Sequence, residues 1–459
     1  MLTLAFVHAT VTMGPTLPLG GLLALAAFLA AVTAFVAIPH IAIAVVIPLF
    51  ALLPMVKTLW VPTAGPLKEV VAFAAFAAAA LLTIERRRMK ARAPVDLVVL
   101  GCVFALLALY VLNLGGGFKA ESYGIAWIHG VRLTAEPLLL LLVGLTVANP
   151  RRVFEWGMAS LVTTATVVAL YGIAQQLMGP SGLVSFGYTW DVQIQVISGR
   201  LRSFGTLDDP FLYAAFLLFG LSAVLFWMRR GPLALFVGAV LAVGIAVGLV
   251  RTSAVIVVGL IGIWLMTKRL SAPAAFVLAA TILASFAVFF SSASATESRT
   301  MQSGNMYLTL NGRTDAWKVA LGGPIDWPFG LGVGEVGTAA ERATYEISRT
   351  AEETREERGQ AVDSGYFATV ADVGFVGLAI LFVLLARLFA AAHAAAKLGL
   401  ASGRVAMGLL TVLVLDAVTR ASFQGFPTAF VCLLLVGVAL AAGAAEREEL
   451  EERRRLRPA

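Results

Sequence analysis

Arginine inside a strongly apolar chain is where chemistry is first expected. Arg200 and Arg202 lie in Ser198-Gly199-Arg200-Leu201-Arg202-Ser203-Phe204-Gly205-Thr206-Leu207-Asp208-Asp209-Pro210, just before a long apolar run. Arg251 lies in Gly248-Leu249-Val250-Arg251-Thr252-Ser253, between two apolar runs with almost no connection. Arg313 belongs to Asn311-Gly312-Arg313-Thr314-Asp315-Ala316-Trp317. A guanidinium at a lipid boundary pairs with a carboxylate, snorkels, or binds an anionic ligand. The topology developed below puts all four on one side of the membrane. Guanidinium forks match phosphate oxygens bidentately. A diphosphate tethered to a lipid would carry its charge at that depth, and such a cluster would do without a metal what Mg²⁺ does in many phosphate sites.

One carboxylate stands out beside them. Asp363, in Ala361-Val362-Asp363-Ser364-Gly365-Tyr366-Phe367, lies where a long outer segment returns to an apolar run. A carboxylate there is placed to take a proton from a sugar hydroxyl. Asp and Ser also favour the N-cap of a helix, and a capping carboxylate keeps free lone pairs for both roles. Asp96, Glu136, Asp372, Asp416 and Arg420 also lie in or near apolar runs. They read as structural, with Asp416 and Arg420 spaced to pair on one helix face.

Other signals are weaker. Gly332-Val333-Gly334-Glu335-Val336-Gly337 fits G-x-G-x-x-G, but no strand precedes it, so a flexible turn is the better reading. His8, His40, His129 and His393 are scattered, which predicts no metal and no cofactor. Cys102 and Cys432 lie inside apolar runs and say little about redox compartment.

The positioning elements follow from composition. Of 459 residues, 59% are apolar and 13% charged, and the mean hydropathy is +0.89. Those values exclude a soluble enzyme, a disordered chain and a disulfide-stapled secreted module. A spanning helix needs about 20 apolar residues. Runs of that kind fall at 67–84, 95–113, 124–147, 153–177, 209–227, 232–250, 252–267, 273–291, 365–390, 404–421 and 427–445. Residues 19–37 and 41–56 read as two short helices joined at Ile38-Pro39-His40. The runs lack strand alternation, so the fold class is an all-α polytopic membrane protein with about twelve crossings. No internal repeat is evident. No Lys or Arg precedes Lys57, so a cleaved signal peptide is not expected.

Basic connections set the orientation. Glu85-Arg86-Arg87-Arg88-Met89-Lys90-Ala91-Arg92, Arg151-Arg152, Arg229-Arg230, Lys268-Arg269, the region of Arg387, Lys397 and Arg404, and the charged tail 446–459 belong on the cytoplasmic side. Segments 114–123, 178–208, 292–364 and 422–426, with the turn at Arg251, then face outward. Within one integral domain over 1–459, the segment 292–364 is a large external loop with its own helices. One is expected at 311–321. A second begins at Thr338, whose spacing to Glu341 suits a capping box. Ala339, Ala343, Ile347 and Ala351 give it a thin apolar stripe. It lies over the mouth of the bundle or forms a solvated lid.

The order of these motifs resembles the O-antigen ligase and O-antigen polymerase superfamily, which assembles bacterial surface polysaccharides. The likeness is carried by Arg202 to Pro210, by Val250-Arg251-Thr252-Ser253, and by a third series. That series runs from Gly312-Arg313 and Trp317, through Pro328-Phe329-Gly330-Leu331-Gly332-Val333-Gly334, to Asp363-Ser364-Gly365-Tyr366 and Gly374-Phe375-Val376-Gly377. It covers roughly residues 195–380. The resemblance implies a GT-C-like fold and metal-independent, inverting glycosyl transfer. The donor would be a glycan on undecaprenyl diphosphate, and the acceptor a saccharide or glycolipid. Nucleic acid would play no part. Arg202 and Arg251 would hold the donor diphosphate. Arg313 with Trp317 would shape the outer segment, and Arg200 and Tyr366 would add substrate contacts. The reaction would take place at the outer face of the bacterial cytoplasmic membrane. Ligases of lipid A core usually carry a His-Asn pair where this chain has Asp363-Ser364, so Asp363 becomes the candidate base. That departure favours a polymerase, or a ligase with another acceptor. The rival from another class is a flippase for lipid-linked glycans.

Overall fold

The computed structural model describes residues 17–88, 96–115, 123–190, 192–197, 199–229, 231–267, 321, 327–335, 339 and 364–456. Arg313, Trp317 and Asp363, and the helices expected at 273–291, 311–321 and from Thr338, lie outside the described residues, apart from isolated helical positions at 321 and 339.

The described chain is helical except for one hairpin. In order, α1 is Leu17–Ala37, α2 Pro39–Leu59, α3 Leu67–Arg88, α4 Leu97–Leu112, α5 Tyr123–Thr146 and α6 Pro150–Phe186. Strands β1 (Gln195–Ile197) and β2 (Arg200–Arg202) follow. Then come α7 (Pro210–Phe226), α8 (Pro232–Val247), α9 (Thr252–Thr267), α10 (Gly365–Lys397), α11 (Ala401–Asp416) and α12 (Thr428–Arg455). Among the described residues, six segments are long and apolar enough to cross a membrane, and five further apolar helices are shorter. The architecture is that of an all-α membrane protein.

Helix α12 is the most enclosed of the candidate spans, with 89% of its apolar window buried. It packs along α5 through small residues. A Cβ on Gly437 would meet Leu145 N at 2.9 Å, and one on Gly144 would meet Val438 N at 2.7 Å. Apolar burial gives helices little reason to associate in lipid, so close backbone approach through small residues does this work. A polar quartet bridges α3 and α5 near the same region. Lys68 Nζ stands 3.5 Å from both Glu69 Oε1 and Glu136 Oε2, and Arg132 pairs with both glutamates. Glu136 is fully buried, so it needs these cations. Lys68 also lies over the rings of Phe426 and Phe430, 5.1 and 5.2 Å from their centroids.

Several boundaries differ from the sequence expectation. The two N-terminal helices are 21 residues each and break only at Ile38. The span expected at 153–177 continues to Phe186, so the first part of the outward segment 178–208 is helical. At Gly179-Pro180 the helix kinks without ending. Gly179 takes φ +65°, and the helix resumes because Leu183 is buried against Tyr188, Ile194, Leu201 and Phe204. Helix α11 ends at Asp416, four residues short of Arg420.

Two ends of the bundle can be told apart. Arg151 pairs with Glu446 and Glu449, joining the start of α6 to the C-terminal tail. Arg387 pairs with Asp96, which also N-caps α4. Both pairs join segments expected on the cytoplasmic side. Along α6, Gly172 lies about 30 Å from Arg151. The β1–β2 hairpin and its following loop meet the bundle there.

Candidate functional site

The hairpin presents its arginines unequally. Register pairs Gln195 with Arg202 and Ile197 with Arg200, and Gly199 supplies the positive φ at the turn. Leu201 faces the Tyr188–Phe204 cluster. Arg200 is exposed, whereas Arg202 is 7% exposed and donates from Nη1 to Gln195 Oε1 at 3.0 Å.

The loop after β2 is anchored by polar side chains reaching into it. Gln175 Oε1 accepts from the amides of Phe204 and Gly205 at 3.1 and 2.9 Å, and its Nε2 donates to Gly205 O at 3.0 Å. Gln176 Nε2 donates to Leu201 O and to Ser203 Oγ at 2.9 and 2.7 Å. The Ser203 hydroxyl donates to Gly172 O at 2.6 Å, and Ser203 N donates to Val247 O at 3.0 Å. The Thr206 hydroxyl donates to Ala51 O at 2.7 Å. Buried backbone groups must find partners, and here side chains and carbonyls of three helices supply them. The close approach needs Gly205, at φ +56°, where a Cβ would meet the Tyr213 ring at 2.5 Å.

Asp209 closes the loop by capping α7. Its Oδ1 accepts from Phe211 N and Leu212 N, both at 2.8 Å. This places Phe211 beneath two cations. The Arg202 guanidinium lies 4.5 Å from the ring centroid and that of Arg420 lies 5.2 Å away. Arg420 Nη2 stands 3.5 Å from Asp209 Oδ1, and Nη1 stands 3.8 Å from Asp416 Oδ2. The expected Asp416–Arg420 pair therefore exists, but Arg420 lies beyond the helix and turns toward Arg202. Burial lowers the pKa of Arg202; Asp209 opposes this, while the charges of Arg420 and Arg251 add to it. The three guanidiniums are thus within electrostatic reach. Arginine stays charged regardless.

Arg251 occupies the tight turn joining α8 to α9, after Leu249 at φ +52°. The hydroxyls of Thr252 and Ser253 beside it are buried without hydrogen-bond partners among the described residues. So are Arg202 Nε and Arg420 Nη1. Tyr366 stands on the first turn of α10, donates to Val414 O at 2.9 Å, and stacks on Phe382. Ser364, next in the chain to Asp363, donates its hydroxyl to Ala417 O at 3.2 Å, and Gly365 N donates to the same carbonyl at 2.8 Å. A Cβ on Gly365 would lie 3.2 Å from Arg420 O. The chain therefore reaches α10 directly against the backbone of Arg420.

The glycine-rich stretch is a docked turn rather than a flexible one over its described residues. The amides of Leu331 and Gly332 donate to Ala371 O at 2.7 and 3.2 Å, and Val333 N donates to Asn113 Oδ1 at 2.7 Å. Trp327 Nε1 donates to Leu114 O at 2.8 Å. It fills a break in α10, where Gly374 is non-helical at φ 70°, ψ −170°. Nearby, Asp372 accepts from Gln424 Nε2 at 2.9 Å and from Tyr110 at 3.3 Å.

Residues 249–382 match the family model described as O-antigen ligase. The matched stretch is similar to the O-antigen ligase family. It takes in Arg251, the docked turn and the kinked first half of α10, and includes the positions of Arg313, Trp317, Asp363 and Tyr366. Arg202 and Arg420 lie outside it in sequence, yet Arg202 is within electrostatic reach of Arg251 at its start and shares the Phe211 ring with Arg420. The O-antigen ligase family is one of glycosyl-transferring enzymes, with lipid-linked glycans and acceptors as partners in general. No curated protein matches the chain. Sequence reasoning paired Arg420 with Asp416, as the structure does, but no local signal tied it to the hairpin.

Asp208 adds a pH-dependent element beside this site. Burial pushes its carboxyl up to about 6, against a hydrogen bond from Thr58 and the charge of Lys57, while Asp209 adds to the rise. A carboxyl raised on folding holds its proton more tightly in the native state. Its contribution is therefore most favourable below 3.8 and is lost as pH rises to about 6. Asp208→Asn is expected to flatten the dependence of unfolding temperature on pH across that window. An unchanged slope in stepped-pH thermal unfolding would contradict this.

Proposed function

We propose that the chain is a glycosyltransferase that transfers or polymerises a glycan from an undecaprenyl-diphosphate-linked donor onto an acceptor sugar. It works at the outer side of the bacterial cytoplasmic membrane, in a bundle of about twelve crossings of the GT-C type. The observation that carries this is the buried Arg202 guanidinium, with an unfilled Nε, within electrostatic reach of Arg251 at the start of the O-antigen ligase match.

The acceptor hydroxyl oxygen attacks the anomeric carbon from the face opposite the leaving group. Its proton passes to the Asp363 carboxylate. The bond from the anomeric carbon to the phosphate oxygen breaks, and its electron pair leaves with undecaprenyl diphosphate, so the configuration inverts. Arg202 and Arg251 stabilise the charge that grows on that oxygen, as preorganised donors do in other group transfers. Thr252 and Ser253 offer two further donors. The external segment 292–364, with Arg313 and Trp317, covers the sugars, while Arg200 and Tyr366 line their approach. Both substrates are lipid-bound or held at one membrane surface, which supplies proximity.

Reconstitution of the full chain in liposomes with an undecaprenyl-diphosphate-linked oligosaccharide tests this. The expected result is longer or newly attached glycan together with released undecaprenyl diphosphate. Movement of label across the bilayer with no new glycosidic bond would contradict it and restore the flippase reading, which the family match does not support.

A further inference from the structure

Among the described residues, no contact of Arg420 accounts for its whole guanidinium. Charge-assisted N–H···O bonds close at about 2.7–2.9 Å. Its approaches to Asp209 and Asp416, at 3.5 and 3.8 Å, are both longer. Each carboxylate oxygen is already committed elsewhere. Asp209 Oδ1 accepts two helix amides at 2.8 Å, and Asp416 Oδ2 accepts the Ser422 hydroxyl at 2.6 Å. Nη1 of Arg420 is buried and lacks a hydrogen-bond acceptor among the described residues, as does Nε of Arg202. The two guanidiniums share one ring, Phe211, and their like charges oppose each other. Two cations held close, each with an unfilled donor, make a receptor for an anion carrying more than one charge.

We infer that Arg420 is a third phosphate ligand of the site and favours the departing lipid diphosphate over a singly phosphorylated lipid. This rests on the donor reading above. When the bond between sugar and phosphate breaks, the electron pair stays on the phosphate oxygen and the diphosphate gains a negative charge. Arg420 supplies the donor that this added charge fills. Asp209 and Asp416 keep the side chain in place until then, loosely enough to release it.

Binding of undecaprenyl diphosphate and of undecaprenyl monophosphate to the full chain in nanodiscs is the test, for wild type, Arg420→Gln and Arg202→Gln. The wild type is expected to prefer the diphosphate. Arg420→Gln is expected to lose about tenfold or more in diphosphate affinity, the scale of one charged hydrogen-bond pair, with monophosphate affinity and unfolding temperature kept. Arg420→Lys, which retains charge without the fork, should fall between, and it stands in if the glutamine variant does not fold. Equal weakening for both lipids, or no weakening, overturns the inference about Arg420. If the wild type binds neither lipid, or Arg202→Gln changes neither affinity, the donor reading itself fails.

Discussion

Arg202→Ala is expected to slow glycan transfer by about 10²–10³-fold, the scale on which a lost oxyanion donor acts. The side chain is buried, its hydrogen-bond partner Gln195 and the Phe211 ring are neutral, and Asp209 is the anion whose charge offsets its burial. A phosphate would supply further negative charge. Because the leaving group gains charge as the bond breaks, the loss should fall on kcat more than on KM. Arg202→Lys should recover little, since an ammonium neither stacks on Phe211 nor offers two parallel donors. Turnover of a lipid-linked donor in nanodiscs measures the effect, with thermal unfolding as the check on folding. A well-folded Arg202→Ala protein with the wild-type rate would remove the arginine site from the mechanism.

Gly374→Ala is expected to carry the largest stability cost. Its φ and ψ of 70° and −170° fall in a region that is essentially glycine-only, which costs other residues about 1–3 kcal/mol. A Cβ there would also run into the carbonyl oxygen of Pro328 and lie 2.5 Å from Gly330 N. Overpacking of that kind adds about 1–3 kcal/mol. The turn at 327–335 would be driven out of the break in α10. Transfer activity should fall with stability, because that turn docks on α10, which begins just after Asp363. Thermal unfolding in detergent, with limited proteolysis of the 292–364 segment, reads both effects. A wild-type unfolding temperature with an unaltered cleavage pattern would show that the kink does not hold the turn.

Much of the helical layout was legible because long apolar runs leave the backbone few alternatives in lipid. The places of Arg202 and Arg251 at the ends of apolar runs were legible too, whereas their part in transfer is the proposal made above. What the sequence concealed was set by contacts between distant segments. The apolar run ends near 177, but burial of Leu183 carries α6 onward to Phe186. Glycines 330, 332 and 334 read as flexibility, yet their positive φ values shape a turn that fits a gap 40 residues downstream. The i, i+4 spacing of Asp416 and Arg420 foretold their pairing, but only the fold shows Arg420 leaning past Asp416 toward Phe211. The buried Lys68–Glu136 partnership likewise joins residues far apart in the chain.

A structure of the full chain with undecaprenyl diphosphate bound tests the central claim most directly. Density for the diphosphate is expected between Arg202 and Arg251, within hydrogen-bonding distance of both guanidiniums. Diphosphate density at another place on the bundle, with Arg202 and Arg251 turned to carboxylates of the chain itself, would contradict the account.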